Sequence, residues 1–587
     1  MLVIASCAML RLGRHRFFIR LAFALLVLAV PFLAGKAQKQ NPAPSAQTHR
    51  PRLVLLVVAD QFRYDYLERF GDLFGPKGLR RLLTDGASWV DANYDHAPTT
   101  TAPGHSTMMT GAYPALTGIV ANEWIDRESG KRVTSVSDPQ ARLIGGGDNE
   151  GAASPRRLMA STLGDELRMA TADRAKVIGI SVKSRAAILP AGRHANAAYW
   201  ISLRTGTVVS SDYYFKQLPA WVLKFDEGHP ADKFFGARWE RLLPEAEYLK
   251  RAGPDTPAYE KVNPNTGDTN AFPHIITGGA SEPGPKFYEA LDPTPYANEL
   301  VLNFAKEAIR NEQLGKDDDP DVLTISFSGN DYVGHRYGPY SQEVMDVTLR
   351  FDRQLGELLD FVDAQVGLKN TLVVFTADHG VAPIPEQATE MGFDAGRLRN
   401  ADVVKDIRDA IVARYKPAAG VDYIFKYDDN GTTRDALLNG NLYFDLPALK
   451  RDNLNLDEIE RVACDAAIRI RGIARCYTRS QLEQGEVAGN DPLTRRVVHG
   501  FNPKRNGDLI LVPEPFYYLN SSDLATHATP YAYDTHVPLV IMGPGVVPGR
   551  YFESCTPADI ATTLAALLRS QPPSDSAGRV LKEALAH

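Results

Sequence analysis

The sequence predicts a three-layer α/β/α sandwich, with a mostly parallel sheet covered by helices on both faces. Three observations carry that prediction. Residues 53–58, 176–182, 321–327 and 371–376 are continuous apolar runs, the pattern of strands buried on both sides. Helical patterns over 77–84, 158–169, 296–310 and 342–362 alternate with them, and that alternation builds a parallel sheet. Finally, each run leads into polar chemistry: Ala59-Asp60-Gln61, Lys183-Ser184-Arg185, Asn330-Asp331 and Asp378-His379-Gly380. In such sheets ligands bind beyond the carboxyl ends of the strands, so these groups are placed to converge on one edge.

Before the first strand, Arg11, Arg14, His15, Arg16 and Arg20 precede an apolar run over 21–34. A basic flank, about 7–15 apolar residues and small residues at the cleavage site define a secretory signal. Gly35 and Ala37 suit cleavage near Ala37–Gln38. An uncleaved anchor is the rival reading, but the run is shorter than the roughly 20 residues of a membrane span. Residues 1–37 are therefore read as a signal peptide, and the protein as periplasmic or secreted, meeting the membrane only through this signal. Residues 38–51, rich in Pro, Ala, Ser and Gln, read as a flexible leader. A formal net charge of −6 leaves no basic footprint, so no nucleic acid partner is expected. Cys464 and Cys476 are close enough in sequence to pair in an oxidising compartment, leaving Cys555 alone.

The segment around which the chain is organised is Ala97-Pro98-Thr99-Thr100-Thr101-Ala102-Pro103-Gly104-His105-Ser106-Thr107. Pro103 suits the first turn of a helix. A hydroxyl just before such a start lies beside free N–H groups and the positive end of the helix dipole, where an anion is stabilised; the plain alternative is a threonine N-cap. Asp331 and His335, spaced i, i+4, share a helical face, while Asp378-His379 comes from one strand end. His527 and His536 supply late imidazoles ahead of a strand-like stretch at 537–542. Oxygen and nitrogen donors without cysteine suit catalytic zinc. Asp60, Asp378 and His379 make one site; Asp331, His335 and a late histidine make the second. Singly, these residues also read as helix caps, a turn and core histidines. Two metals about 4 Å apart clamp the attacking and leaving oxygens of an in-line phosphoryl displacement. Lys183 and Arg185, spaced i, i+2, share a face if the strand continues, and offer cations to the remaining phosphoryl oxygens.

Several segments together resemble the alkaline phosphatase superfamily. They are residues 58–67, Thr101-Ala102-Pro103-Gly104-His105, residues 118–124 with Asn122, Ser181-Val182-Lys183-Ser184-Arg185, Asp331-Tyr332-Val333-Gly334-His335 and Ala377-Asp378-His379-Gly380. They look most like its threonine-nucleophile bacterial phosphomonoesterases of the phosphate-irrepressible type, with nucleotide pyrophosphatase/phosphodiesterases as more distant relatives. The resemblance implies Thr101 as nucleophile and Asn122, Lys183 and Arg185 as phosphoryl-oxygen ligands. It implies two zinc ions, one on Asp60, Thr101, Asp378 and His379, the other on Asp331, His335 and a C-terminal histidine. His527 is the choice for that last ligand, although Ala528 stands where the family's Thr-His-Gly segment has glycine; His536 is the alternative. The sulfatase branch is disfavoured because His105 stands where its Cys/Ser-x-Pro-x-Arg motif carries arginine.

The expected protein is an exported zinc-dependent alkaline phosphatase acting on small phosphate monoesters through a phosphothreonine. A phosphodiesterase on the same scaffold and a non-catalytic phosphoryl-binding module are the alternatives. The core is expected over 52–187, 296–385 and 506–587. Residues 188–295 read as a cap-like insertion near the site mouth, and 386–505 as a small α+β lobe with no catalytic motif.

Overall fold

The computed structural model describes residues 50–147, 151–257, 259, 270–487, 489, 491–519 and 523–586. The signal peptide and nearly all of the leader lie outside the described residues. No helix among the described residues is long and apolar enough to cross a membrane.

The four apolar runs form the strands expected of them, at the centre of a larger sheet. In chain order its strands are β1 (Leu53–Ala59), β2 (Ala87–Trp89), β3 (Leu143–Ile144), β4 (Val177–Ser181), β5 (Ala197–Ile201), β6 (Val208–Ser211), β7 (Asp321–Phe327), β8 (Thr371–Thr376), β9 (Leu539–Met542) and β10 (Gly549–Tyr551). Across the sheet they run β10-β2-β9-β8-β1-β7-β4-β5-β6-β3. The middle is parallel: β1 lies between β7 and β8, and β4 lies between β7 and β5. Antiparallel pairs occur towards the edges, where β9 meets β8 and β2, and β6 meets β5 and β3. Every residue of β1, β4, β7 and β8 is buried, which is why these strands are mostly apolar instead of alternating.

The helices that matter for the site are α1 (Thr101–Thr110), α2 (Ser184–Ala191), α3 (Pro295–Asn311), α4 (Gly329–Tyr337) and α5 (Gln342–Gln365). Helix α3 packs on α5, and α2 lies against β4 and β5. Their starts are written in side chains: Thr294 accepts from the Tyr296 N–H at 3.2 Å and Ser341 from the Val344 N–H at 3.1 Å. The helix expected from residue 158 begins instead at Leu163, because Thr162 and Asp165 form a capping box there.

Two domain boundaries differ from the expectation. Part of the stretch 188–295 belongs to the main sheet, since the buried strands β5 and β6 extend it beyond β4. Its aromatic residues are largely spent on packing; Trp221 stacks on Phe304 of α3 at 5.2 Å. The lobe at 386–505 has its own core, including Val403, Ile407, Ile411, Ile459 and Ala463. It completes a four-stranded sheet only by borrowing Leu509–Pro513, which pairs with Asn441–Leu442 and Ile473–Thr478. Cys464 and Cys476 are paired, with Cα atoms 5.5 Å apart.

Helix α2 rides on a glycine. A Cβ at Gly179 in β4 would stand 1.9 Å from the Ala187 carbonyl oxygen. Gly179→Ala should therefore push α2 off the sheet at a cost of about 1–3 kcal/mol, read as a lower urea midpoint. Activity should fall with it, because α2 carries Arg185 and is capped by Lys183; an unchanged midpoint would show that the helix adapts.

Candidate active site

The parallel register brings distant acids to one height. Ala59 lies opposite Phe327 and Val58 opposite Thr376, so the residues following β1, β7 and β8 emerge together. Asp60 follows β1, Asp378 and His379 follow β8, and β7 leads into α4, which carries Asp331 and His335. One helical turn brings His335 Nε2 to 3.2 Å from Asp331 Oδ1. Two donor sets result: Asp60 with Asp378 and His379, and Asp331 with His335 and His527. Within each set the candidate ligand atoms lie within 4.8 Å of one another.

Of the two late histidines, the structure brings His527 into the site. Its ring stacks on His379 at 3.6 Å, and its Nε2 lies 3.9 Å from Asp331 Oδ1. His536 lies elsewhere, with Nε2 2.9 Å from the Val90 carbonyl oxygen and its ring stacked on Tyr64 at 4.3 Å.

Thr101 is the first residue of α1, after Thr100 in extended conformation. The helix start comes close to the metal-type ligands because Gly104 lacks a side chain. A Cβ there would stand 2.2 Å from the Asp378 carbonyl oxygen. Asn122 is held at the same helix start, its Oδ1 accepting from the Ala102 N–H at 2.8 Å. His105 joins α1 to the acids: Nδ1 lies 3.2 Å from Asp378 Oδ2 and Nε2 lies 2.9 Å from Ser326 Oγ.

Lys183 and Arg185 do not share a strand face as expected. β4 ends at Ser181, whose hydroxyl accepts from the Lys183 N–H at 3.2 Å, and α2 begins at once. Lys183 is the cap of that helix and Arg185 its second residue. The Lys183 ammonium donates to Asp60 Oδ2 at 2.7 Å and to Asp331 Oδ2, so it ties the two donor sets together. Arg185 Nε is buried without a hydrogen-bond partner.

Electrostatics follow from burying several charges together. Burial, reinforced by Asp331 and Asp378, pushes Asp60 up to about 7. Burial acts on Asp331 in the same direction, but Lys183 and His335 outweigh it and hold that carboxyl well below its usual range. Burial lowers the His335 imidazole, yet Asp331 overcomes it and raises the group to about 9. Burial drives His379 down to about 4 and holds His527 well below its ordinary value, so both are neutral imidazoles.

Among the described residues, Asp60 Oδ1, Asp378 Oδ2 and His379 Nε2 are buried with no hydrogen-bond partner, since the His105 Nδ1 near Asp378 bonds to the Thr101 carbonyl oxygen at 2.9 Å. Three orphaned acceptors in one place are costly unless a cation takes them. A set of carboxylate oxygen and imidazole nitrogen fits a divalent transition metal.

A cleft of about 350 Å³ opens from this site, lined by Thr100, Asn122, His335 and His527, with Asn439 and Tyr517 among the residues of its outer wall. Its wall comes from the 386–505 lobe and the segment after it. Among the described residues, none of the stretch 188–295 lines it.

Gln61 was not among the expected site residues, yet it joins two of the acids. Its Nε2 donates to Asp331 Oδ1 at 2.7 Å and its backbone N–H to Asp378 Oδ1 at 3.1 Å. The only signal was its place directly after Asp60. Its left-handed backbone, φ 65°, leaves no mark on sequence periodicity.

The fold and the paired donor sets define a hydrolase of the alkaline phosphatase-like class. Comparison with known proteins agrees and narrows it. The family model for type I phosphodiesterase / nucleotide pyrophosphatase matches residues 54–537, and the chain belongs to that family. It is 34% identical over 569 residues to alkaline phosphatase PhoV of Synechococcus elongatus, covering 96% of this chain and 98% of PhoV. It is 35% identical over 566 residues to alkaline phosphatase PafA of Elizabethkingia meningoseptica, covering 95% of this chain and 98% of PafA. Crystal structures of PafA are also known for the wild type and for a variant altered at one threonine, one asparagine, one lysine and one arginine. They align with TM-scores of 0.82 and 0.83 at 32% identity, covering 92% of this chain and 99% of PafA.

Gln61→Glu tests the charge balance directly. The new carboxylate would stand within hydrogen-bond distance of Asp331, and burial plus a like charge raise its pKa above the ordinary value of about 4.3. A raised acid means that the folded state holds more protons than the unfolded one, so stability falls as pH rises through that range. In chelator-treated protein, the variant's urea midpoint should lie near the parent's at pH 5 and well below it at pH 8. A difference independent of pH would show that Gln61 acts by shape alone.

Proposed function

We propose that the protein is an exported, zinc-dependent alkaline phosphatase that hydrolyses phosphate monoesters through a phosphothreonine on Thr101. One observation carries the reading: the orphaned acceptors of Asp60, Asp378 and His379 lie beside the start of α1, where Thr101 stands. Asp60, Asp378 and His379, with the Thr101 hydroxyl, would hold one divalent cation; Asp331, His335 and His527 would hold the other. Bound there, the cations supply Lewis acidity to the threonine oxygen and the leaving oxygen.

The chain's own residues do the rest. The Thr101 oxygen attacks phosphorus, its bond forming as the bond to the leaving alcohol breaks. Water then attacks the phosphothreonine and releases phosphate and the free hydroxyl. Free N–H groups at the start of α1 favour the negative charge that gathers on the phosphoryl group. An ammonium has three donors. Asp60 and Asp331 engage two on Lys183, leaving one for a phosphoryl oxygen. Arg185 and the Asn122 amide can take the others, and the leaving group extends into the cleft walled by the lobe. The PafA variant is altered at the same four residue types as Thr101, Asn122, Lys183 and Arg185, which supports their assignment as a working set. The Cys464–Cys476 pair supports export, since disulfides persist in oxidising compartments.

The test is chemical trapping. Chelator-treated enzyme should be inactive and regain more activity with zinc than with magnesium, because imidazole donors favour zinc. Zinc-loaded enzyme quenched during turnover should yield phosphopeptide at Thr101, and Thr101→Ala should yield none. Phosphate trapped on Thr99 or Thr100 instead would overturn the assignment.

The family also includes phosphodiesterases, but Lys183 and Arg185 favour a dianionic monoester over a singly charged diester. A charge-assisted hydrogen bond is worth about 1.5–3 kcal/mol. At about 1.4 kcal/mol per tenfold, Lys183→Ala or Arg185→Ala should cut monoester kcat/KM by roughly one to two decades. Aryl diester hydrolysis should change much less; equal losses on both substrates would return the phosphodiesterase reading.

A further inference from the structure

One segment, residues 525–534, touches the surroundings of all three imidazoles. His335 Nδ1 lies 2.8 Å from the Ala525 carbonyl oxygen. His527, within the segment, has its Nδ1 2.8 Å from the Thr99 carbonyl oxygen. His379 Nδ1 lies 2.9 Å from the Gly380 carbonyl oxygen, and the Gly380 N–H donates to the Asp534 carbonyl oxygen at 2.7 Å. A carbonyl can only accept, so each imidazole carries a proton on Nδ1 and turns Nε2 toward the acids. Such outer partners fix the tautomer and orientation of a ligating histidine.

Two side chains hold the segment in place. The Asp534 carboxylate is fully buried, and its Oδ2 accepts from the Thr529 N–H at 2.8 Å and the Thr529 hydroxyl at 2.6 Å. The Thr529 carbonyl oxygen in turn accepts from the Thr99 hydroxyl at 2.8 Å, and Thr99 is the residue whose carbonyl receives His527. Between these two anchors Ala528 is held at φ 95°, a conformation that a non-glycine residue keeps only when its neighbours over-determine it. Gly380 completes the contact, because a Cβ there would stand 2.2 Å from the Tyr533 carbonyl oxygen.

We propose that Thr99 and Asp534 are positioning residues for the histidine donors. Thr99 ties the strand of threonines that ends in Thr101 to the segment bearing His527, and Asp534 locks that segment against Gly380 behind His379. Neither touches the reacting atoms. The nucleophile and both donor sets are thereby held in one frame. This deepens the proposed function and rests on its metal reading.

The experiment is calorimetric titration of the chelator-treated full chain with Zn²⁺ alone, which reads binding without activity. Loss of an outer partner of this kind costs about 10–100-fold in metal affinity. Thr99→Val should weaken one zinc site by about tenfold or more, and Thr99→Ser, which restores the hydroxyl, should recover parental affinity. KM for an aryl monoester at saturating zinc should stay near the parent's for both. Asp534→Asn can keep an acceptor where Oδ2 stood and should retain both sites, whereas Asp534→Ala should not; this pair decides the matter if Thr99→Val fails to fold. Parental zinc affinity in Thr99→Val, or a loss that Thr99→Ser does not repair, would overturn the proposal. A parent that binds two zinc ions yet hydrolyses no monoester would overturn the proposed reaction and leave the positioning result standing. A parent that takes up no zinc would overturn both.

Discussion

Three carboxylates, Asp60, Asp331 and Asp378, share one buried site, each no more than 2% exposed, and much of the architecture serves to keep them there. Two like charges 4 Å apart repel by about 4 kcal/mol even at an effective dielectric of 20. Such a cluster survives only where the backbone leaves its members no room to separate. Adjacent parallel strands do this: β1 is clamped between β7 and β8 in continuous register. The acids leave the sheet at one level because their strands cannot slide without turning buried side chains to the wrong face. The strands are mostly apolar because helices cover both sides.

Besides the His335 imidazole on α4, positive charge enters this arrangement from α2. Lys183 reaches Asp60 and Asp331 from the cap of α2, while Arg185 stands one step into the helix. The placement of α2 is set by a backbone contact, Gly179 against Ala187, and not by the charges themselves. The cation is therefore delivered by packing, and the acids are paired without a mobile surface side chain paying conformational entropy at each turnover. Gln61 performs the neutral counterpart of this task, bonding to Asp331 and Asp378 without adding charge.

The strands, their order of chemistry and the Asp331–His335 pair were legible in the sequence because each depends on local periodicity. A continuous apolar run has one stable use in an α/β chain, and a spacing of four has one meaning on a helix. His527 could be preferred to His536 only through resemblance; what separates them physically is the stacking of His527 on His379 and of His536 on Tyr64, contacts between residues remote in sequence. Gln61 was invisible because its role rests on a left-handed backbone and two long-range bonds. The strand face expected for Lys183 and Arg185 failed because the Ser181 hydroxyl turns the chain one residue early. The aromatic stretch at 188–295 is a case of a different kind. Aromatic richness is shared by a substrate cover and by a packed layer, and here Trp221 lies on Phe304.

The wall of the cleft makes a separate point about how the site divides its labour. The acids, the cations, His335 and His379 stand at the ends of the central strands or on the helices after them, and His527 stands on the segment 525–534. The facing wall comes from residues such as Asn400 and Asn439, on a lobe with a core of its own, and Tyr517, on the segment after it. The lobe is fastened to the scaffold through shared strand Leu509–Pro513, a few residues ahead of the segment that bears His527. Changes in the lobe's surface loops can therefore reshape the space for a leaving group while the sheet register and the buried charges stay as they are. The family model is that of type I phosphodiesterase / nucleotide pyrophosphatase, while the relatives PhoV and PafA are alkaline phosphatases. The buried acids and imidazoles are held by the rigid part, and the space for a leaving group is shaped by side chains that the rigid part does not depend on.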